Sequence, residues 1–487
     1  MALDQATRSP AAAVPWEVPN EIDGRPTPPE GGAWLDKLRP ADGSVLCRVA
    51  RSNAADVAAA VAAARRAQPG WAERTVVVRG DLLRDVALRL RERRGELSAI
   101  VSEETGKPLS LALGETDAAV EMGFFVAGEG RRFYGRTTTA SMPHRQVSVV
   151  RQPLGVAALI VSFNTPLPNV AWKVFPALLC GNAAVLKPSE HTPASARAFA
   201  EVCREVGLPA GVLNVVHGLG EEAGAALVEH PDVDLVSFTG SRESGARVNE
   251  AAARRLTKVC LELGGKNALV VCDDADLERA VHWSAQSAFS NAGQRCAAAS
   301  RLVVFDGVYE EFRDRFVEAA QGFDAVVPVI GEDALERILA AVAGAAEEGA
   351  DVLCGGERTP GAGWHLPPTV LERVDPSAVI SRTELFGPVA ILYRVSGFEE
   401  AVGLVNDSPY GLTAAIHTAS VHRAMRFAEQ AQAGVVVVNG GTHGSEPHMG
   451  FGGVKQSGTG WREAGVEALD VYSDWKYVNV VSDPSRV

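Results

Sequence analysis

Positive charge is in deficit along this chain. Its 47 lysines and arginines face 60 aspartates and glutamates, a net charge of −13. That balance argues against nucleic acid or an anionic membrane as a partner. Cysteine is sparse and unpatterned. The seven residues Cys47, Cys180, Cys203, Cys260, Cys272, Cys296 and Cys354 form no CxxC pair and no Cys/His cluster. The odd count and wide spread speak against a disulfide scaffold or a zinc site, so no metal is expected, and a reducing compartment, the cytoplasm, is. No apolar run approaches the roughly 18 residues needed to cross a bilayer, and the first 20 residues lack the apolar core of a signal peptide. Internal repeats and low-complexity tracts are also missing. What remains is an ordinary globular composition, 46% hydrophobic and 22% charged, in 487 residues. That is too long for one simple core and predicts several domains.

Residues 1 to about 30, rich in Pro, Ala and Gly, read as a loose arm. Helices are expected over 53–75, with Asn53 as N-cap and Pro69-Gly70 as the stop, then over 79–106 and over 114–133. From 155 onward, buried apolar strands alternate with helices in four strand–loop–helix units within about 100 residues, the pattern of a parallel sheet covered on both faces. A further α/β stretch runs from about 267 to 433. Two strand-like pieces, 144–152 and 475–481, have no local partner and could pair with each other or with another subunit. In such sheets ligands bind beyond the carboxyl ends of the strands, which directs attention to the residues that follow each strand.

Five loops stand out on that criterion. "FTGS" (238–241) ends a strand and starts a helix: Ser241 can cap it, Gly240 permits close approach, and free N–H groups suit a phosphate, though a plain helix start looks the same. "HGLGEEAG" (217–224) misses the GxGxxG spacing by one residue. In "LKPSE" (186–190), Lys187 and Glu190 could hold two ribose hydroxyls, and the carboxylate would repel a 2′-phosphate, favouring NAD over NADP; a solvated turn is the alternative. Asn164 in "SFNTP" offers an amide to a developing oxyanion, or simply forms an Asn-Thr-Pro turn. Glu262 in "LELGGKN" is a general base if burial raises its pKa, or a salt-bridged glutamate at a domain joint. Cys296 in "NAGQRCAAASR" would by itself be core filler.

In their order along the chain, "SFNTPL", "VLKPSE", "FTGS", "LELGGKN", "GQRC", "ELFGPV", "NDSPYGL" and "GFGGVKQSG" resemble the aldehyde dehydrogenase superfamily, from about residue 20 to 482. The resemblance implies an α/β fold: a Rossmann-type parallel-sheet cofactor domain (1–135 and 153–263), an α/β catalytic domain (264–467) and a small β oligomerisation arm (136–152 and 468–487), hence a homodimer or homotetramer. It implies NAD as cofactor, with NADP not excluded, and a small aldehyde as substrate. Cys296 would be the nucleophile, Glu262 the activator of the hydrolytic water and Asn164 an oxyanion donor. Lys173 and Glu463 would belong to the surrounding proton-relay shell. Cofactor contacts would come from Phe163, Lys187, Ser189, Glu190, Gly220, Gly224, Thr239, Gly240, Ser241, Leu263, Glu384 and Phe386. A CoA-acylating enzyme, which generally lacks the hydrolytic glutamate, and a non-catalytic protein on the same fold are the competing functions.

The chain also departs from the family pattern. Ser162-Phe163 replaces the usual Pro-Trp before the asparagine, the stretch 319–338 is shortened, and "GTGWREAG" carries one extra residue, which loosens the register of Glu463. Arg295 directly precedes the cysteine. With His448 before Met449, it resembles branches acting on aldehydes with an anionic group, whose further arginine is replaced here near Ser445 and Glu446. A structural ion pair is the favoured expectation for Arg295, and contact with an anionic substrate the alternative.

Overall fold

The computed structural model describes residues 14–324 and 327–486. Residues 1–13 of the expected loose arm lie outside that range, as do positions 325 and 326 of the shortened stretch. The remainder of the arm is not loose: Glu17–Val18 pairs with Val45–Ala50, and Asn20–Ile22 and Arg25–Thr27 add to a seven-stranded sheet.

That sheet has a parallel core in the spatial order Lys258–Glu262, Leu235–Thr239, Val156–Ile160, Ala183–Lys187, Leu213–Val215. Side chains of Val156–Ile160 and Ala183–Lys187 are buried throughout. Alternation divides them between two cores. Ala157, Leu159, Ala184 and Leu186 pack with the helices Val76–Glu92 and Pro166–Leu179, while Val156, Ala158, Ala183 and Val185 pack with Ala54–Ala72. A strand buried on both faces cannot alternate with polar residues, which explains the continuous apolar runs. Successive strands are added to one side of Val156–Ile160 and then to the other. The switch point therefore lies between Val156–Ile160 and Leu235–Thr239.

The second seven-stranded sheet runs Asp351–Cys354, Thr369–Glu372, Val389–Val395, Ala299–Phe305, Asn267–Val271, Thr413–His417, Val435–Val438, parallel except for its first strand. Leu263–Lys266 links the carboxyl end of Lys258–Glu262 to the start of Asn267–Val271, so a crevice opens where the first sheet's carboxyl ends face the second sheet's amino ends. The two orphan pieces pair with each other. Ser473–Val481 runs antiparallel to Arg145–Pro153 along its whole length, with Arg136–Thr138 as a third strand.

Three helix expectations need correction. The first helix does not stop at Pro69-Gly70 but continues to Ala72. The buried Trp71 donates from Nε1 to Leu178 O (2.9 Å), anchoring the turn that carries the proline. Its start is as expected, with Asn53 and Asp56 forming a reciprocal capping box. The second is two helices, Val76–Glu92 and Arg94–Thr105, broken at Arg93. The third starts five residues earlier, at Leu109. Among the described residues no helix is long and apolar enough to cross a membrane.

Candidate active site

One cavity of about 1390 Å³ occupies the crevice. Ser162, Phe163 and Asn164 reach it from beyond Val156–Ile160, and Thr239, Gly240 and Ser241 from beyond Leu235–Thr239, the two strands that flank the switch point. Glu262, Leu263, Arg295, Cys296, Glu384, Phe386 and Glu463 complete the wall from other parts of the chain. Two glycines make the approach possible. A Cβ on Gly264 would collide with the Glu384 carboxylate, and one on Gly265 with Cys296 O and the Asn267 side chain.

Cys296 is the one thiol of seven on the cavity wall. Its loop is fastened at several points. Asn267 Nδ2 donates to Cys296 O (2.7 Å) and Ala298 O (2.9 Å), Thr442 Oγ1 to Ala297 O (2.6 Å), and Ile330 N to Gln294 Oε1 (2.9 Å). Asn291 and Ala292 lie consecutively in the left-handed region, at φ 57° and 55°. Non-glycine residues persist there only where their surroundings hold them, and they cluster at functional sites. Burial pushes the Cys296 thiol up to about 12, helped by the Glu384 and Glu262 carboxylates and opposed by Arg295.

Glu262 is buried at the end of Lys258–Glu262, and neither carboxylate oxygen has a hydrogen-bond partner among the described residues. The salt bridge at a domain joint, the alternative reading, is therefore not formed. Desolvation, and then the charge of Glu463, raise its pKa well above the ordinary carboxylate range, against the pull of Lys173 and Arg462. Glu463, whose register the extra residue loosened, is held by an antiparallel bridge to Phe451 and a buried ion pair with Lys173. Ser237 Oγ accepts from Lys173 Nζ (2.8 Å) and Tyr472 OH (3.0 Å) and donates to Glu463 Oε1 (2.7 Å).

Asn164 is 7% exposed. Its Oδ1 accepts from Asn169 Nδ2 (3.0 Å), and its own NH2 donates to no group among the described residues. Glu384 Oε1 accepts from Gly265 N (3.1 Å), and burial raises its carboxyl to about 7. The Phe163 ring meets Phe386 and His191 edge-on at 5.6 Å each. Lys187 Nζ lies 3.4 Å from Glu190 Oε2. Ser241 caps the helix Arg242–Ala253 through Ser244 N, as its sequence position predicts.

Some predicted residues lie off the cavity. Lys173 is buried behind Glu463, and Lys187 and Ser189 sit behind Glu190. Gly220 begins and Gly224 ends a wide helical turn whose neighbour Leu219, not the glycines, reaches the wall. His448 does not reach it either; its exposed ring faces Glu446 at 3.7 Å. The ion pair expected for Arg295 is also missing. No carboxylate among the described residues comes within 4.0 Å of it, and its buried Nε is unpartnered. Sequence reasoning missed Lys107, Glu115, Asn169, Arg337 and His443. Of these, Glu115, Asn169, Arg337 and His443 line the cavity, while the buried Lys107 pairs with Glu115 at 2.5 Å. Each sits in a helix or loop with no chemical motif around it. Among the described residues no group of three His, Cys, Asp or Glu is placed to hold a metal.

Residues 27–478 match the family model described as "Aldehyde dehydrogenase family". The chain is 38% identical to lactaldehyde dehydrogenase of Escherichia coli (strain K12), over 94% of this chain and 96% of that protein. It is 37% identical to succinate-semialdehyde dehydrogenase [NADP(+)] of the same organism, with the same coverage of both chains. The crystal structure of the E. coli lactaldehyde dehydrogenase superposes with a TM-score of 0.93, over 96% of this chain and 99% of that one. Betaine aldehyde dehydrogenase of Staphylococcus aureus in complex with NAD+, 33% identical, also gives 0.93, over 96% and 95%.

Proposed function

The chain belongs to the aldehyde dehydrogenase family, and from that premise we infer that it oxidises an aldehyde to the carboxylic acid with NAD(P)+ through a covalent adduct on Cys296. The observation that carries the residue assignment is convergence: Cys296, Glu262 and Asn164, on three separate segments, line one cavity at the switch point of a parallel sheet. The Cys296 thiol gives up its proton to solvent and adds as the thiolate to the aldehyde carbon, and the Asn164 amide and Cys296 N–H hold the resulting oxyanion. NAD(P)+, when bound, accepts the hydride that leaves this carbon, and a thioester remains on Cys296. Glu262 takes a proton from water as the water attacks the thioester, releasing the acid and regenerating the thiol. This glutamate sets the reading apart from transfer of the acyl group to CoA.

The crevice fits a dinucleotide. Glu190, with Lys187 held against it from behind, suits the adenosine ribose, and Leu219, Thr239, Gly240 and Ser241 line the crevice where the adenine and pyrophosphate would lie, at the start of Arg242–Ala253. Phe163, Leu263, Glu384 and Phe386 suit the nicotinamide end, where Arg337 adds a cation. Glu190 favours NAD over NADP. The unpaired Arg295 supports a second, finer reading, an aldehyde that carries an anionic group such as a semialdehyde. The outer edges of Ser473–Val481 and Val435–Val438, with Tyr477, Val480 and Val481 exposed, support a homodimer or homotetramer built through the arm (136–152 and 468–487), beside a cofactor unit (1–135 and 153–263) and a catalytic unit (264–467). Seven free thiols suit the cytoplasm. The test is NADH and NADPH formation across a panel of neutral and anionic aldehydes. Wild type turns over and Cys296→Ala does not, while still binding NAD; turnover by Cys296→Ala would overturn the assignment.

A further inference from the structure

We infer that Asn169 is a positioning residue for this reaction: it sets which end of the Asn164 amide faces the reacting carbon. The inference rests on Asn164 being the oxyanion donor. A carboxamide turned by 180° occupies the same space but presents an acceptor in place of a donor. At the oxyanion that exchange replaces a stabilising N–H with a repelling lone pair. Something must therefore fix the rotation.

The Asn164 backbone is held firmly. Its carbonyl accepts from Lys107 Nζ (2.5 Å) and Asn291 Nδ2 (3.1 Å), the latter from the loop that carries Cys296. Neither bond reaches the side chain. Among the described residues only Asn169 does, through Nδ2 to Asn164 Oδ1 at 3.0 Å. The direction of that bond follows from a third group. Asn169 Nδ2 also donates to Ser162 O at 3.1 Å, and a backbone carbonyl can only accept. The atom of Asn169 between these two partners is thus its NH2, the Asn164 atom facing it is an acceptor, and the Asn164 NH2 is left for the cavity. Asn169 stands on the first turn of Pro166–Leu179, where its N–H bonds Thr165 O (2.9 Å), so the helix start that follows Asn164 also carries the group that orients it.

Four variants followed by rapid-mixing NADH formation test this. Asn164→Ala alone should slow the first turnover by about 10²–10³-fold, the worth of one oxyanion donor. Asn169→Leu, similar in size and without a donor, should slow it about ten-fold through partial rotation of that donor, with NAD affinity and alkylation of Cys296 unchanged. In the double variant Asn164→Ala/Asn169→Leu the second change should add nothing. Asn169→Asp, nearly isosteric, should lose progressively more rate relative to wild type as pH rises and its carboxylate ionises against Asn164 Oδ1. A wild-type first turnover in Asn169→Leu, or losses that multiply in the double variant, would overturn the role of Asn169. A wild-type rate in Asn164→Ala would instead overturn the oxyanion assignment beneath it.

Discussion

Two groups of buried polar side chains lie side by side in this molecule and are satisfied very differently. Glu463 on the cavity wall bonds back to Lys173 and Ser237 behind it, and Ser237 to Tyr472. Elsewhere on the wall, both oxygens of Glu262, Nε of Arg295 and Nδ1 of His443 have no partner among the described residues. Buried polar atoms are ordinarily bonded, so in the proposed function the second group is where a reactant would complete the set. Lack of a partner is not enough alone: both ring nitrogens of His217 are also buried and unbonded, away from the cavity wall. Several such atoms turned toward one cavity separate a site from a lone packing defect.

The largest expected effect comes from the front group. Glu262→Gln keeps the shape but cannot take a proton. It should release one equivalent of NADH per site and then stall, with steady turnover down by about 10²–10⁴-fold. Quantifying the burst checks this, and normal steady turnover would sink Glu262 as the base. The back group should fail by a different route. Lys173→Met leaves Glu463 with its cation removed in a buried place, and losing one member of a buried pair costs about 3–5 kcal/mol. Denaturant unfolding of the variant measures that loss. If its midpoint matched wild type, the cluster would not be the structural foundation its bonding implies.

Legibility in the sequence divides along the same line. Glu262 ends a strand and Asn164 follows one, and strand ends are where a parallel sheet puts its chemistry; Cys296 lies in the loop before Ala299–Phe305 and is legible only through its motif. The groups bonded around them carry no such signal: Ser237 lies in mid-strand, Asn169 and Lys173 on the helix Pro166–Leu179, and Tyr472 just before the last strand. Only folding brings Tyr472 to Ser237 or Asn169 to Asn164. Pro69 and Arg93 misled for a related reason. Proline does not end a helix whose last turn is pinned by Trp71, and the charged face of 79–106 does not show the break at Arg93. For Arg295 a charge was assumed to need a counter-charge; the cavity leaves it without one.

That unpaired cation yields the next prediction. If the cavity reserves Arg295 for substrate, Arg295→Met should cost about ten- to a hundred-fold in kcat/KM for an anionic aldehyde, the range of a charged hydrogen bond, and little for a neutral one of the same length. Equal losses on both would show that Arg295 serves the nucleophile and not the substrate. A separate readout tests its effect on the thiol. Arg295 is the cation that pulls the Cys296 pKa down, so its removal should move the alkylation profile of Cys296 to higher pH.

The smallest effect links the two groups. Glu463 raises the pKa of Glu262, while Lys173 lowers it. Glu262 accepts a proton only when ionised, so thioester hydrolysis should rise with pH across the range where this carboxyl loses its proton, and that range lies well above 4.5. Glu463→Gln removes a negative neighbour and leaves Lys173 uncompensated; both changes favour the ionised base. The acid limb of the hydrolysis profile should therefore shift to lower pH, with the plateau rate nearly kept, as read from steady turnover under conditions where the burst is fast. A shift to higher pH, or none, would mean that Glu463 does not act on Glu262 through its charge and that the back group acts as scaffold alone. A shift in the expected direction would make it an electrostatic partner, holding the base protonated until the thioester needs it.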